Sequence, residues 1–315
     1  MENILYLVIP CYNEEEVLPE TSKRLREKMQ GLIDSGKISE KSRICLVNDG
    51  SKDKTWGIIS QLHSENKLFS GIKLSRNRGH QNALVCGLMT VKEHCDAAIS
   101  LDADLQDDVN AIDEMVDKWL DGCDIVYGVR SARQTDTAFK RATAQGYYKV
   151  LAALGVEIVY NHADYRLMSK RALEALADFK EVNLFLRGIV PMIGFKTDVV
   201  TYERSERFAG ESKYPLKKML AFAAEGITSM SIKPIKFITG FGVFLLFAAF
   251  VAFVVFLVLY LCGIAVPHWI PTFLSVWAVG GFNLLGMGII GEYVGKIYLE
   301  TKSRPRFIVE DFLND

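Results

Sequence analysis

Short apolar runs alternate with longer amphipathic stretches over the first 130 residues. ILYLVIP (4–10), RICLVND (43–49), SGIKLS (70–75), AAISLD (97–102) and DIVYG (124–128) read as strands. Residues 14–33, 54–66, 79–93 and 108–120 carry apolar positions at helical spacing. Strands joined by helix-length crossovers predict an α/β fold, a mostly parallel sheet with helices on both faces. Ligands of such sheets bind beyond the carboxyl ends of the strands. The segments to question are therefore PCYNEEE, NDGSKD, SRNRGHQNA, DADLQDD and GVRSAR, one after each strand.

Later the pattern changes. Residues 137–154 and 215–232 set basic residues beside apolar and aromatic ones, which suits helices lying at a membrane surface and equally suits ordinary helices with a solvated basic edge. Residues 237–291 contain no Asp, Glu, Lys or Arg. Two stretches there, about 237–262 and 270–292, are long enough to cross a hydrocarbon core, which takes roughly 20 residues. They predict a hairpin of two transmembrane helices. Lys233 and Lys236 precede it, Lys296, Lys302, Arg304 and Arg306 follow it, and the connector has no Lys or Arg. Both termini are thus expected on the cytoplasmic face of a plasma or inner membrane. The expected organisation is a cytoplasmic catalytic domain (1–214), an interfacial segment (215–234), a membrane hairpin (235–295) and a cytoplasmic tail (296–315).

Bulk composition adds little. The 315 residues carry a net charge of −1, which says little about partners; no nucleic-acid partner is expected. The opening MENILYLVIPCYNEEE has acids where a secretory leader is basic, so no cleavable signal is expected. Six cysteines without CxxC spacing read as reduced, mostly buried thiols.

The candidate chemistry lies after the fourth strand, in LDADLQDD. In an extended chain Asp102 and Asp104 share one face, and two hard oxygen ligands there suit Mg²⁺ or Mn²⁺ that keeps other positions for water and phosphate. Asp107 and Asp108 read more simply as the acidic start of the next helix. Asp49 in VNDGS is ordinary turn chemistry, or a carboxylate placed to accept hydrogen bonds from a ribose or base. Neither GxGxxG after the first strand nor GxxxxGK[ST] occurs, which excludes the usual dinucleotide and P-loop phosphate cradles. His80 is explained as well by a helix-start hydrogen bond as by catalysis, and His162 is equally open.

IPCYNEEE, VNDGS and LDADLQD, in this order and each after a strand, resemble the family 2 glycosyltransferases of the GT-A fold. SRNRGHQNAL, GVRSAR, HADYRLMSKRAL and RFAGESKYPLKKML, followed by two apolar spans, are similar to the bacterial polyprenyl-phosphate branch of that family. This branch includes bactoprenol glucosyltransferases and is related to dolichyl-phosphate mannose synthase. The resemblance implies inverting transfer of a hexose from a nucleotide-diphosphate sugar to polyprenyl (undecaprenyl) phosphate at the cytoplasmic face. It favours UDP-glucose, with UDP-N-acetylglucosamine, UDP-galactose or GDP-mannose as alternatives.

Carried over by position, the resemblance implies that Pro10, Tyr12, Glu14 and Asp49 border the nucleoside. Asp102, Asp104 and Gln106 hold the metal and the donor diphosphate. Asp164 lies near the reacting centre beside Arg166, as base or as positioning group, or as a buried partner of that arginine. Arg130, Arg207 and Lys213 are expected at the acceptor phosphate; the last two fit a solvated basic loop near lipid headgroups as well. Homo-oligomers formed through the membrane helices, and a flippase that takes the product, are also implied. Two other readings remain. A processive polysaccharide synthase is opposed by the absence of any Arg-Trp dipeptide and by the small number of spans. A non-catalytic membrane module is opposed by the intact carboxylates.

Overall fold

The computed structural model describes residues 2–131, 162–181, 185–203, 233–262 and 269–314. The strands and helices expected in the first 130 residues are present, in the order β1 (Leu5–Cys11), α1 (Leu18–Asp34), β2 (Arg43–Asn48), α2 (Thr55–Glu65), β3 (Phe69–Leu74), α3 (His80–Val91), β4 (Ala97–Ser100), α4 (Ala111–Leu120) and β5 (Ile125–Arg130). β6 (His162–Ser169), α5 (Lys170–Ala177), α6 (Leu186–Met192) and β7 (Thr197–Tyr202) follow. Two long helices, α7 (Lys233–Leu261) and α8 (Trp269–Lys302), and a last strand, β8 (Val309–Leu313), end the chain.

The eight strands form one sheet in the order β7-β5-β6-β4-β1-β2-β3-β8. β3, β2, β1 and β4 are mutually parallel, whereas β6 lies antiparallel between β4 and β5. The sheet is therefore mixed. β6 escaped the sequence reading because Asp164 and Arg166 interrupt its apolar pattern, although Arg166 is only 2% exposed. β1 lies mid-sheet with all seven residues buried, which is why it reads as a continuous apolar run rather than an alternating one. Its side chains still divide by parity. Leu5, Leu7 and Ile9 join a core with α1, α2 and α4, while Tyr6 and Val8 join one with α3, α5 and α6.

Two features of this sheet place the site. Pairing of β1 with β4 ends at Val8 and Ser100, while pairing of β1 with β2 continues to Cys11 and Asn48. The chains after β1 and β4 diverge there and open a crevice where the strand order reverses. Pro10 lies beyond the last β4 pair, where the N–H it lacks is not needed by the ladder.

The C-terminal residues, expected as a tail, return to the sheet. β8 pairs antiparallel with β3, Ser75 N–H donates to the Ile308 carbonyl (3.1 Å), and the Tyr6 hydroxyl donates to Asn314 Oδ1 (3.1 Å). Between the domain and this strand, α7 and α8 run antiparallel. The Phe241 and Phe282 rings lie 4.9 Å apart, and a Cβ on Gly286 would sit 3.5 Å from Ile238. Among the described residues one helix is long and apolar enough to cross a membrane, over Gly240–Leu259 in α7. The second expected span coincides with helical residues of α8. The basic segments 137–154 and 215–232, with Arg207 and Lys213, lie outside the described residues.

Candidate active site

The loops that follow β1 and β2 are interlocked. Asp49 N–H donates to the Cys11 carbonyl (2.9 Å), Asn13 N–H donates to Ser51 Oγ (3.0 Å), and Asn13 Oδ1 accepts from Lys52 N–H (2.9 Å). Glu14 N–H donates to Thr55 Oγ1 (3.0 Å), and Glu15 Oε2 accepts from Lys54 N–H (3.0 Å). These exchanges fix the backbone that carries Pro10, Tyr12 and Glu14, and leave Tyr12 exposed at the mouth.

Asp49 ties this floor to the loop after β3. Its Oδ1 accepts from Arg78 N–H (2.6 Å) and its Oδ2 from Gly79 N–H (2.9 Å). Burial pushes its carboxyl upward, and those two donors oppose the shift. Gly50 completes the join with φ 63°, where a Cβ would lie 2.4 Å from the Asn77 nitrogen. The carboxylate expected at a ribose thus has both oxygens engaged by backbone and acts on the loop of residues 75–79.

Across the crevice the carboxylates are differently placed. Asp102 Oδ1 is shielded from solvent and has no hydrogen-bond partner among the described residues. Its nearest basic neighbour is His80, whose Nε2 lies 3.4 Å from that oxygen and 3.9 Å from Asp164 Oδ2. Burial raises the Asp102 carboxyl, His80 opposes the rise, and the charges of Asp107, Asp164 and Asp104 reinforce it. Asp104, half-buried, accepts from Gln106 N–H at Oδ1 (3.2 Å). Asp102, His80 and Asp164 therefore converge at the crevice, with Asp104 and Gln106 on the same loop.

Asp164 is held as an anion. Arg166 Nη2 donates to its Oδ1 (2.6 Å), and Arg187 Nη2 lies 3.4 Å from its Oδ2. Burial alone would raise this carboxyl, but the charges of Arg187 and Arg166, with help from His80, hold it well below the usual carboxylate range. A carboxylate so held is a weak proton acceptor. The pairing with Arg166 is thus present, and the geometry suits positioning better than base catalysis.

One expectation needs correction. Asp107 does not start the helix: it is 5% exposed, and its Oδ1 accepts from the Tyr202 hydroxyl (2.5 Å) and from Arg130 Nη2 (3.2 Å). Asp108 does fit the helix-start reading, since its Oδ1 accepts from Asn110 N–H (2.9 Å) just before α4. Arg130, expected at an acceptor phosphate, is engaged by Asp107 and by Tyr202, to whose hydroxyl its Nε donates (3.2 Å). The reason is topological: Arg130 and Tyr202 are register partners at the ends of β5 and β7, directly behind the acidic loop. Arg187 and Tyr202 escaped the sequence reading, because neither sits in a motif and both come to the site through strands and helices beyond residue 130.

The crevice at the strand-order reversal of this α/β sheet is rimmed by carboxylates, a histidine and arginines. Residues 6–177 match the glycosyl transferase family 2, and the chain belongs to that family. It is 51% identical to the uncharacterized glycosyltransferase YkoT of Bacillus subtilis (strain 168), over 99% of this chain and 93% of that one. It is 39% identical to the bactoprenol glucosyl transferase of Shigella phage SfX, over 96% of this chain and 98% of that one. The prophage bactoprenol glucosyl transferase homolog of Escherichia coli (strain K12) is 38% identical over 96% and 97%. Among solved structures, glucosyl-3-phosphoglycerate synthase from Mycobacterium tuberculosis in complex with Mn²⁺, UDP-glucose and phosphoglyceric acid aligns over 72% of this chain and 78% of that one. Its identity is 17% and its TM-score 0.46.

Proposed function

We propose that this protein transfers a hexose, with inversion, from a nucleotide-diphosphate sugar to polyprenyl phosphate at the cytoplasmic face of a membrane, with UDP-glucose the first donor to test. The observation that carries the reading is the shielded oxygen of Asp102, left without a hydrogen bond beside His80, in a crevice shared with Asp104 and Asp164. Near-full-length similarity to proteins named bactoprenol glucosyl transferase supports the lipid phosphate as acceptor and glucose as sugar.

A divalent ion fits these residues. Among the described residues no group of three or more His, Cys, Asp and Glu is placed to hold a metal ion by itself. Two carboxylates suit an ion that takes its remaining oxygens from diphosphate and water. Asp102 and Asp104, with Gln106 beside them, would hold Mg²⁺ or Mn²⁺, and the bound ion supplies positive charge to the departing diphosphate. Asp164 needs to remove no proton, because an acceptor phosphate with a second pKa of about 6 is already largely ionised. Kept ionised by Arg166 and Arg187, it orients the acceptor and stabilises positive charge on the sugar. Pro10, Tyr12 and Glu14 border the nucleoside, on a loop that the Asp49 network fixes. Arg207 and Lys213 remain the choices for the acceptor phosphate, with Arg187 added as a cation beside the reacting centre.

The return of β8 to the sheet supports two membrane crossings. A crossing in α7 places its far end across the membrane, and β8 pairs with β3 only if α8 crosses back. Flanking Lys and Arg place the domain on the cytoplasmic side. Gly280, Gly281, Gly288 and Gly291 of α8 meet nothing within 4 Å among the described residues, leaving room for close helix contacts between copies. A flippase is the expected consumer of the product.

The test is incubation of the purified protein in bilayers containing undecaprenyl phosphate with a panel of labelled UDP- and GDP-sugars. Labelled, organic-extractable lipid from UDP-glucose is the expected product. No labelled lipid from any donor would reject the reading.

A further inference from the structure

We infer that Asp107 and Tyr202, together with Arg130, are positioning residues for the divalent ion at Asp102 and Asp104, an inference that rests on the metal-dependent transferase reading above. The loop carrying both carboxylates buries Leu101, Ala103 and Leu105 and is tied locally by Gln106 N–H to Asp104 Oδ1 (3.2 Å), yet it keeps one strained residue. Leu105, between Asp104 and Gln106, has φ 56°, a left-handed conformation that a leucine keeps only where its surroundings impose it. Behind the loop lies a cavity of about 670 Å³ between α1 and α4, lined by Arg24, Lys28, Leu105, Asp107, Asn110 and Asp113 among others.

Hydrogen bonds at the two ends also fix the loop. On the near side Leu101 N–H donates to the Val8 carbonyl (3.2 Å), and Thr21 Oγ1 on α1 donates to the Ala103 carbonyl (2.7 Å). On the far side Asp107 Oδ1 takes the Tyr202 hydroxyl and the Arg130 guanidinium. Tyr165 stacks edge-on against Tyr202, with ring centroids 5.3 Å apart, and its hydroxyl donates to the Asp108 carbonyl (3.0 Å). The acidic loop is thus slung across the crevice from β1 and α1 to the paired ends of β5 and β7. Mg²⁺ and Mn²⁺ require near-ideal ligand placement. The far anchor, through Asp107 Oδ1, therefore controls how well the two carboxylates of the loop meet the ion.

The test uses the full-length protein with Mn²⁺ and UDP, reading free Mn²⁺ by electron paramagnetic resonance beside thermal unfolding and turnover. Tyr202→Phe keeps the ring and removes the hydroxyl, and should raise the Mn²⁺ dissociation constant roughly tenfold, as expected for one hydrogen bond to a charged group. Turnover should recover toward wild type when Mn²⁺ is saturating. Asp107→Asn should weaken Mn²⁺ further, because the neutral amide no longer matches Arg130. Wild-type Mn²⁺ affinity in both variants, even with lowered thermal stability, would overturn the inference while leaving the transferase reading intact. If the wild-type protein bound no Mn²⁺ with UDP, this inference would fall with the metal assignment, and the donor panel would still report separately on sugar transfer.

Discussion

The two sides of the crevice treat their carboxylates in opposite ways. On the β2 side, Asp49 is as buried as a core residue, and each of its oxygens accepts a backbone N–H. On the β4 side, Asp102 keeps a shielded oxygen without a hydrogen-bond partner, and three other aspartates raise its carboxyl further. A buried carboxylate with its hydrogen bonds made is part of the scaffold. One left short of them among like charges suits the cation proposed above. Composition treats these residues alike, and only their partners separate structure from chemistry.

Asp104→Ala bears hardest on this contrast. Turnover should fall by roughly 10³-fold or more, as expected when charge stabilisation of a leaving group is lost. Its unfolding temperature should hold or rise, because a like charge has been removed. A large loss of stability would place Asp104 with Asp49 as scaffold.

Asp164→Asn should lower the rate of bound complex by roughly 10²-fold while leaving donor affinity nearly unchanged. The pH dependence sharpens the point. An ordinary aspartate titrates near 3.9, and the Asp164 carboxyl is held below that by its arginines. Its contribution to stability is therefore complete above the unfolded value and is lost as pH falls through the lower folded value. Turnover between pH 5 and 8 should show no acidic limb from this residue. A limb in that range, abolished in Asp164→Asn, would restore it as a base.

Asp49→Asn should do the reverse of Asp104→Ala. Replacing one acceptor by an NH₂ that faces a backbone donor should cost about 1–3 kcal/mol in urea unfolding, with turnover per folded molecule within about tenfold of wild type. Unchanged stability with lost donor binding would make Asp49 a nucleoside ligand after all. The smallest effect belongs to Lys73→Ala, which removes an exposed pair with Glu310 (2.6 Å) between β3 and β8. About 0–1 kcal/mol is expected, since β8 is held mainly by its ladder.

The first five strands and four helices were legible because each is local: an apolar run, a helical period, a turn between them. The convergence of loops after the strands followed from the crossover rule alone. β6 was hidden because its buried Arg166 and Asp164 look like surface residues until they are seen paired. β8 was hidden because VEDFL carries two acids and lies on a sheet edge, where half-exposed residues are tolerated. Asp102 and Asp104 could be singled out from spacing after a strand. The division between Asp107 and Asp108 could not, because it depends on Tyr202, 95 residues away along the chain. The pairing of Arg130 with Asp107 was hidden for the same reason: its partner sits on another loop.

The central claim is that the unsatisfied side of the crevice holds a divalent ion on a sugar nucleotide whose sugar passes to a lipid phosphate. It is tested most directly by titrating Mg²⁺ or Mn²⁺ into metal-stripped wild-type and Asp104→Ala proteins with labelled UDP-glucose and undecaprenyl phosphate in bilayers, counting labelled lipid. The account requires product that appears with added metal in the wild type and stays at background in the variant. Product that forms equally in a chelator, or equally in Asp104→Ala, would contradict it.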